Sequence, residues 1–136
     1  MILTTKGRYA VMAMLDIAQF SDKGPVNLSS VSIRQNIALR YLEQIVSKLR
    51  RAGILKSVKG PGGGYIVESS QITIKKVINA AEEPMKMTKC KGTKYCAHNN
   101  SICNSHNLWA GLSRTIQDYL DSITIEDCLK QNYQSN

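Results

Sequence analysis

Acidic residues are scarce in the first half of this chain. Residues 1–66 hold three, Asp16, Asp22 and Glu43, against ten lysines and arginines, while residues 67–136 carry eight basic and seven acidic side chains. The net charge of +8 therefore belongs almost wholly to one half, which points that half toward a polyanion. No run is apolar enough to enter a bilayer, so nucleic acid ranks ahead of a membrane as the partner. A cleavable leader is not expected either. Lys6 and Arg8 precede "AVMAMLDIAQF", but Asp16 interrupts that run and no small-residue cleavage site follows. The expected location is the cytoplasm. Only one cysteine, Cys128, lies outside residues 90–106, and in a reducing compartment clustered cysteines are more often metal ligands or redox groups than disulfides. No substrate-pocket signal is visible, so no enzyme is expected.

A length of 136 residues, with 43% hydrophobic and 21% charged, suits one folded domain plus an appended element and not a disordered tail. Apolar positions Tyr9, Met12, Ala13, Leu15 and Ile17 predict an amphipathic helix from Thr5 to about Phe20, ended by "DKGP" at 22–25. Asn27 or Ser29 can cap a short second helix to about Arg34, and "QN" at 35–36 supplies a turn. Leu39, Leu42, Ile45, Val46 and Leu49 mark a third helix that Gly53 stops. Two β-prone runs, 54–58 and 65–67, flank a loop with Gly60, Pro61, Gly62, Gly63 and Gly64, which predicts a hairpin. No Lys-Ser/Thr follows these glycines, which counts against a phosphate-binding loop. Three helices followed by a hairpin is the order of a winged helix-turn-helix, giving a mainly α fold with a small β-wing.

Residues 72–83 are expected to form a fourth helix closing a DNA-binding domain over 1–83. A cysteine-rich loop follows at 84–106, then a dimerisation helix and tail over 107–136. In this last segment Leu108, Leu112, Ile116, Tyr119, Leu120 and Ile123 recur every three or four residues. Such a stripe outside a small core is best buried by a second copy, and a twofold dimer suits palindromic sites on double-stranded DNA. Thr124 with Asp127 resembles a capping box for a short final helix.

Along "ALRYLEQIVSKLRR" the polar residues near the start suit base edges. Arg40 can donate to guanine, Gln44 can pair with adenine, and Glu43 can accept from a cytosine amino group. Tyr41, Ser47 and Lys48 share the outer sides. For Glu43 an equal alternative is an intrahelical pair with Lys48 or nearby arginines. Arg50, Arg51, Lys56 and Lys59 are candidate phosphate contacts, with Lys59 also placed for the minor groove from the wing.

Cys90, Cys96, Cys103 and His106 form a four-donor set spaced by five, six and two residues. Zinc and an iron-sulfur cluster both accept such donors. The wide gaps lack the tight knuckles of structural zinc and favour a two-iron cluster; zinc, and a thiol switch without metal, remain alternatives. His98 is a rival fourth ligand, although its Asn99 and Asn100 neighbours favour an exposed turn. Cys128, between Ile125 and Leu129, is expected to be a small buried side chain.

"LTTKGRYAVMAMLDIA" at 3–18, "YLEQ" at 41–44, "KGPGGGY" at 59–65 and the Cys/Cys/Cys/His loop followed by "LW" at 108–109 together resemble the IscR family of bacterial iron-sulfur regulators. The likeness runs from residue 1 to about 130. It implies a homodimeric transcription factor, mainly a repressor, with one 2Fe-2S cluster per subunit on Cys90, Cys96, Cys103 and His106. It also implies cluster-assembly machinery as the cluster's donor, and feedback on cluster-assembly genes. Glu43, Gln44 and Lys59 match DNA-contacting positions of that family, and Gly62 and Gly63 of the wing are carried with them. Arg40 stands where a small polar residue is expected and Lys59 where arginine is expected, so the preferred DNA sequence can differ. The gap between Cys96 and Cys103 is one residue longer than expected. That length leaves room for a sister regulator with a 4Fe-4S cluster that senses nitric oxide or iron, against which His106 argues.

Overall fold

The computed structural model describes residues 4–85 and 103–131. Helix α1 spans Thr5–Phe20 and closes in a single 3-10 turn over Ser21–Lys23. Helix α2 spans Leu28–Gln35; the Asn27 side chain accepts the Ser29 N–H at its start, and Asn36 ends it in a left-handed conformation. Asparagine suits both positions, because its short amide bonds free backbone donors and tolerates positive φ. Helix α3 spans Leu39–Arg51. It ends before Gly53, whose φ of +80° few other residues adopt at low cost.

Strands β1 (Leu55–Val58) and β2 (Gly64–Val67) form an antiparallel hairpin in register Leu55↔Val67 and Val58↔Gly64. A bridge between Val26 and Tyr65 stitches this wing to the α1–α2 connection, with N–H to carbonyl distances of 2.8 and 2.9 Å. Gly64 is needed there. A Cβ on it would lie 2.3 Å from the Val26 carbonyl oxygen.

Helix α4 spans Ile74–Ala80, shorter at both ends than the expected 72–83. At its start Thr73 caps the helix and accepts the Lys76 N–H. The Ile72 carbonyl meanwhile accepts the Ile125 N–H at 2.9 Å, which takes it out of the helix. At the other end the chain turns left-handed at Glu82. Helices α5 (His106–Asp121) and α6 (Ile125–Lys130) complete the described chain. The capping box of Thr124 and Asp127 is present, each serving the other's backbone N–H.

One core joins these parts. Ala10, Ala13, Met14 and Ile17 of α1 meet Leu42, Ile45, Val46 and Leu49 of α3, Val77 and Ile78 of α4, and Ile123 and Ile125 around the start of α6. Burying each large aliphatic side chain contributes about 1.5–3 kcal/mol. Helix α5 differs. None of its residues is fully buried, and among the described residues no helix is long and apolar enough to cross a membrane.

Candidate nucleic-acid interface and cluster loop

Helix α3 commits one face to the core and leaves Arg40, Glu43, Gln44, Arg50 and Arg51 exposed. Tyr41 is half-buried and meets Tyr9 of α1 edge to face, with ring centroids 5.8 Å apart. That contact sets α3 against α1, so the Tyr41 ring packs between helices and is not fully free on the outer side. Glu43 forms no ion pair among the described residues, and Lys48, the partner considered for it, binds Glu82 at 2.9 Å. The Glu43 carboxylate is thereby left to outside donors.

Two of the ten basic residues in the first half are neutralised internally, Arg34 by Asp16 and Lys48 by Glu82. Arg8, Arg40, Arg50, Lys56 and Lys59 are exposed and form no ion pair among the described residues, and Arg51 is exposed with its charge acting on Glu82. The wing carries Lys59 at its tip on a tight glycine loop, closed by the Gly63 N–H to Gly60 carbonyl bond of 2.9 Å. A Cβ on Gly63 would lie 2.2 Å from the Val58 carbonyl oxygen, whereas Gly62, at φ +75°, faces open space. Gly63 thus keeps the loop closed, and Gly62 permits its turn.

Of the four expected ligands, Cys90 and Cys96 lie outside the described residues, as does the rival His98. Cys103 and His106 stand at the head of α5. The His106 N–H bonds the Cys103 carbonyl at 3.0 Å, so a single turn brings a thiol and an imidazole to the same helix end. Cys103 is exposed, with its Sγ 3.5 Å from Ser105 Oγ. Thiolate and imidazole suit zinc and an iron-sulfur cluster alike. Among the described residues no group of three metal-ligating side chains comes together. Cys128 sits apart, half-buried on α6 against the core. Burial and then the nearby Asp127 carboxylate push its thiol pKa up, which makes it a poor ligand.

Three side chains that shape this region gave no sequence motif. Glu83 is buried and accepts from both the N–H and the hydroxyl of Thr4, at the start of α1. Glu82 holds Lys48 of α3. Met85 is buried, and its carbonyl accepts from Gln117 Nε2 of α5 at 3.3 Å. The strap 82–85 is thus fastened to α3, α1 and α5 just ahead of the first cysteine of the loop. A signal was available: two acids at a helix C-terminus oppose the helix dipole, which marks Glu82 and Glu83 for a role elsewhere.

The Rrf2 pattern, described as an iron-dependent transcriptional regulator, matches residues 3–131. The chain belongs to the Rrf2 family. Rrf2 relatives include a Neisseria meningitidis serogroup A protein provisionally named an HTH-type transcriptional regulator, 50% identical over 96% of this chain and 89% of the relative. The HTH-type transcriptional regulator IscR of Vibrio atlanticus is 49% identical over 97% of this chain and 77% of its own. Among solved structures, CymR, the global cysteine regulator of B. subtilis, superposes with a TM-score of 0.80 at 32% identity, covering 96% of this chain and 98% of that one. T. potens IscR gives 0.76 at 32% identity, covering 100% and 93%. The winged helix-turn-helix expectation is met. This Rrf2 protein is a transcriptional regulator of the IscR type, a DNA-binding class whose relatives are not enzymes.

Proposed function

We propose that this regulator senses iron-sulfur supply, holding a 2Fe-2S cluster on Cys90, Cys96, Cys103 and His106. As a homodimer it would bind palindromic duplex DNA and repress cluster-assembly genes when clusters are plentiful, with the assembly machinery as cluster donor. The observation that carries this is the strap. The segment entering the cysteine loop is tied to the recognition helix and to α1, while the loop leaves through Cys103 and His106 at the head of α5. Ligands at that position couple mechanically to the DNA-reading surface. When bound, such a cluster supplies a group whose presence depends on iron and sulfide.

The chain's own residues do the rest. Arg40, Glu43 and Gln44 are available for base edges, Arg50, Arg51 and Lys56 for phosphates, and Lys59 with Gly62 and Gly63 shape the wing. The dimer reading is supported by α5. Leu120 packs against the core and Ile116 is half-buried, but Leu108, Leu112 and Tyr119 are 62%, 37% and 51% exposed. Leu108, Leu112 and Tyr119 follow one helical stripe, and among the described residues nothing covers that stripe.

The test selects duplexes from a randomised library with cluster-loaded and with cluster-free protein, then measures affinity of both forms for each. At least one selected site should distinguish the forms; identical sites and affinities would reduce the protein to a DNA-binding regulator without cluster sensing.

A further inference from the structure

Glu82 stands at a place where its own residue type is disfavoured twice. Its φ is +60°. The Glu82 N–H bonds the Asn79 carbonyl at 2.9 Å and the Glu83 N–H bonds the Ile78 carbonyl at 3.2 Å, which is the Schellman turn that glycine normally completes. The other non-glycine positive φ values among the described residues, at Asn36 and Gln131, belong to helix caps. A carboxylate at this end of α4 also opposes the helix dipole. Local preference therefore does not account for glutamate here, and its side chain does.

That side chain binds Lys48 at 2.9 Å. The hydrogen bond and charge of Lys48, with the charges of Lys6 and Arg51, hold the Glu82 carboxyl below its ordinary range. Lys48 follows Gln44 by one helical turn, on the same strip of α3. The Glu82 side chain is 68% exposed, so water and salt weaken the pair and a phosphate can compete for the lysine.

We infer that Glu82 is the positioning residue through which the strap entering the cysteine loop governs the recognition helix: its carboxylate holds Lys48 in one arrangement and releases it to a DNA phosphate in the other. This rests on the reading of the loop as a cluster site. Glu83, bound to Thr4 of α1, and the buried Met85 flank the latch, so a displacement of the loop's entry is carried to Glu82.

The test compares wild type, Glu82→Gly, Lys48→Met and the double variant, each with cluster reconstituted from iron and sulfide and after its removal, on a duplex selected from a randomised library. Glu82→Gly should keep or raise the melting temperature, since glycine relieves the left-handed strain. It should tighten the weaker-binding form by about two- to fivefold and bring the two forms' affinities together. No such gain should occur in the Lys48→Met background, which separates release of the lysine from mere loss of a negative charge. An equal gain in that background, or an undiminished cluster effect in Glu82→Gly, overturns the inference. Equal affinities of the two wild-type forms would overturn the sensor reading and this inference with it, a failure visible before any variant is made.

Discussion

Asp16 grips Arg34 at two points, Nη2 to Oδ1 at 2.7 Å and Nε to Oδ2 at 2.9 Å, while Gln35 Nε2 reaches the same Oδ2 at 2.9 Å. The carboxylate is buried on α1 and its partners sit on α2, so the contact fixes the two helices that carry α3. The Arg34 guanidinium also lies 4.3 Å over the Phe20 ring, a favourable cation–aromatic arrangement.

Replacing Asp16 by Asn is expected to cost about 2 kcal/mol. The loss is less than for a fully buried pair, because Arg34 is partly exposed and regains water. Burial pushes the Asp16 carboxyl up, but the Arg34 and Gln35 hydrogen bonds and the Arg34 charge outweigh it and hold the pKa below the ordinary value. A lowered folded pKa gives stability that is full above the unfolded value of about 3.9 and lost as pH falls through the folded one. Urea titrations of both proteins should therefore show a constant gap from pH 7 to 5 that closes only below about pH 4. A gap unchanged at pH 2 would show that ionised Asp16 is not its source.

Glu43→Ala is expected to relax base choice. With Lys48 engaged by Glu82, Glu43 has no pair within α3 to preserve, and the change should appear as about 1–3 kcal/mol at the base pair it reads. Affinities across a single-substitution operator series measure this, and a uniform shift at all positions would argue for a simple charge effect.

Leu112→Glu tests the uncovered stripe of α5. A twofold contact counts each substitution twice, so losing up to about 1 kcal/mol of burial and about 1 kcal/mol more to a carboxylate placed in the contact, per chain, weakens association roughly a thousandfold. Sedimentation of wild type and variant checks it; a variant that remains dimeric at micromolar concentration would move the interface off this face.

Cys96→Ala and Cys128→Ala should behave oppositely. Loss of Cys96 is expected to abolish bound iron while the protein stays folded, whereas loss of Cys128, which packs against the core, should leave iron unchanged. Iron assays with circular dichroism decide the point, and unfolding of Cys96→Ala would make the loop a structural element.

Much of the fold was legible because its signals are local. The bounds of α1 follow from apolar spacing and a glycine-proline stop, and the Thr124–Asp127 box announces α6. Helix α4 came out shorter because Ile72 is taken by a backbone bond from Ile125, fifty-three positions away, which no local pattern contains. The same limit explains the ion pairs. Asp16 looks like an interruption in an apolar run until α2 brings Arg34 to it, and Lys48 looks like a partner for Glu43 until the strap brings Glu82. In the candidate site, spacing suggests a four-donor set, and the structure places Cys103 and His106 of it on one turn; Cys90 and Cys96 lie outside the described residues.

The most direct test of the central claim is anaerobic purification followed by a visible absorption spectrum and assays of iron, sulfide and zinc on one sample. The account predicts two irons and two sulfides per chain with thiolate-to-iron bands. Stoichiometric zinc in a colourless protein would contradict it, leaving a DNA-binding regulator whose cysteine loop is a structural clasp.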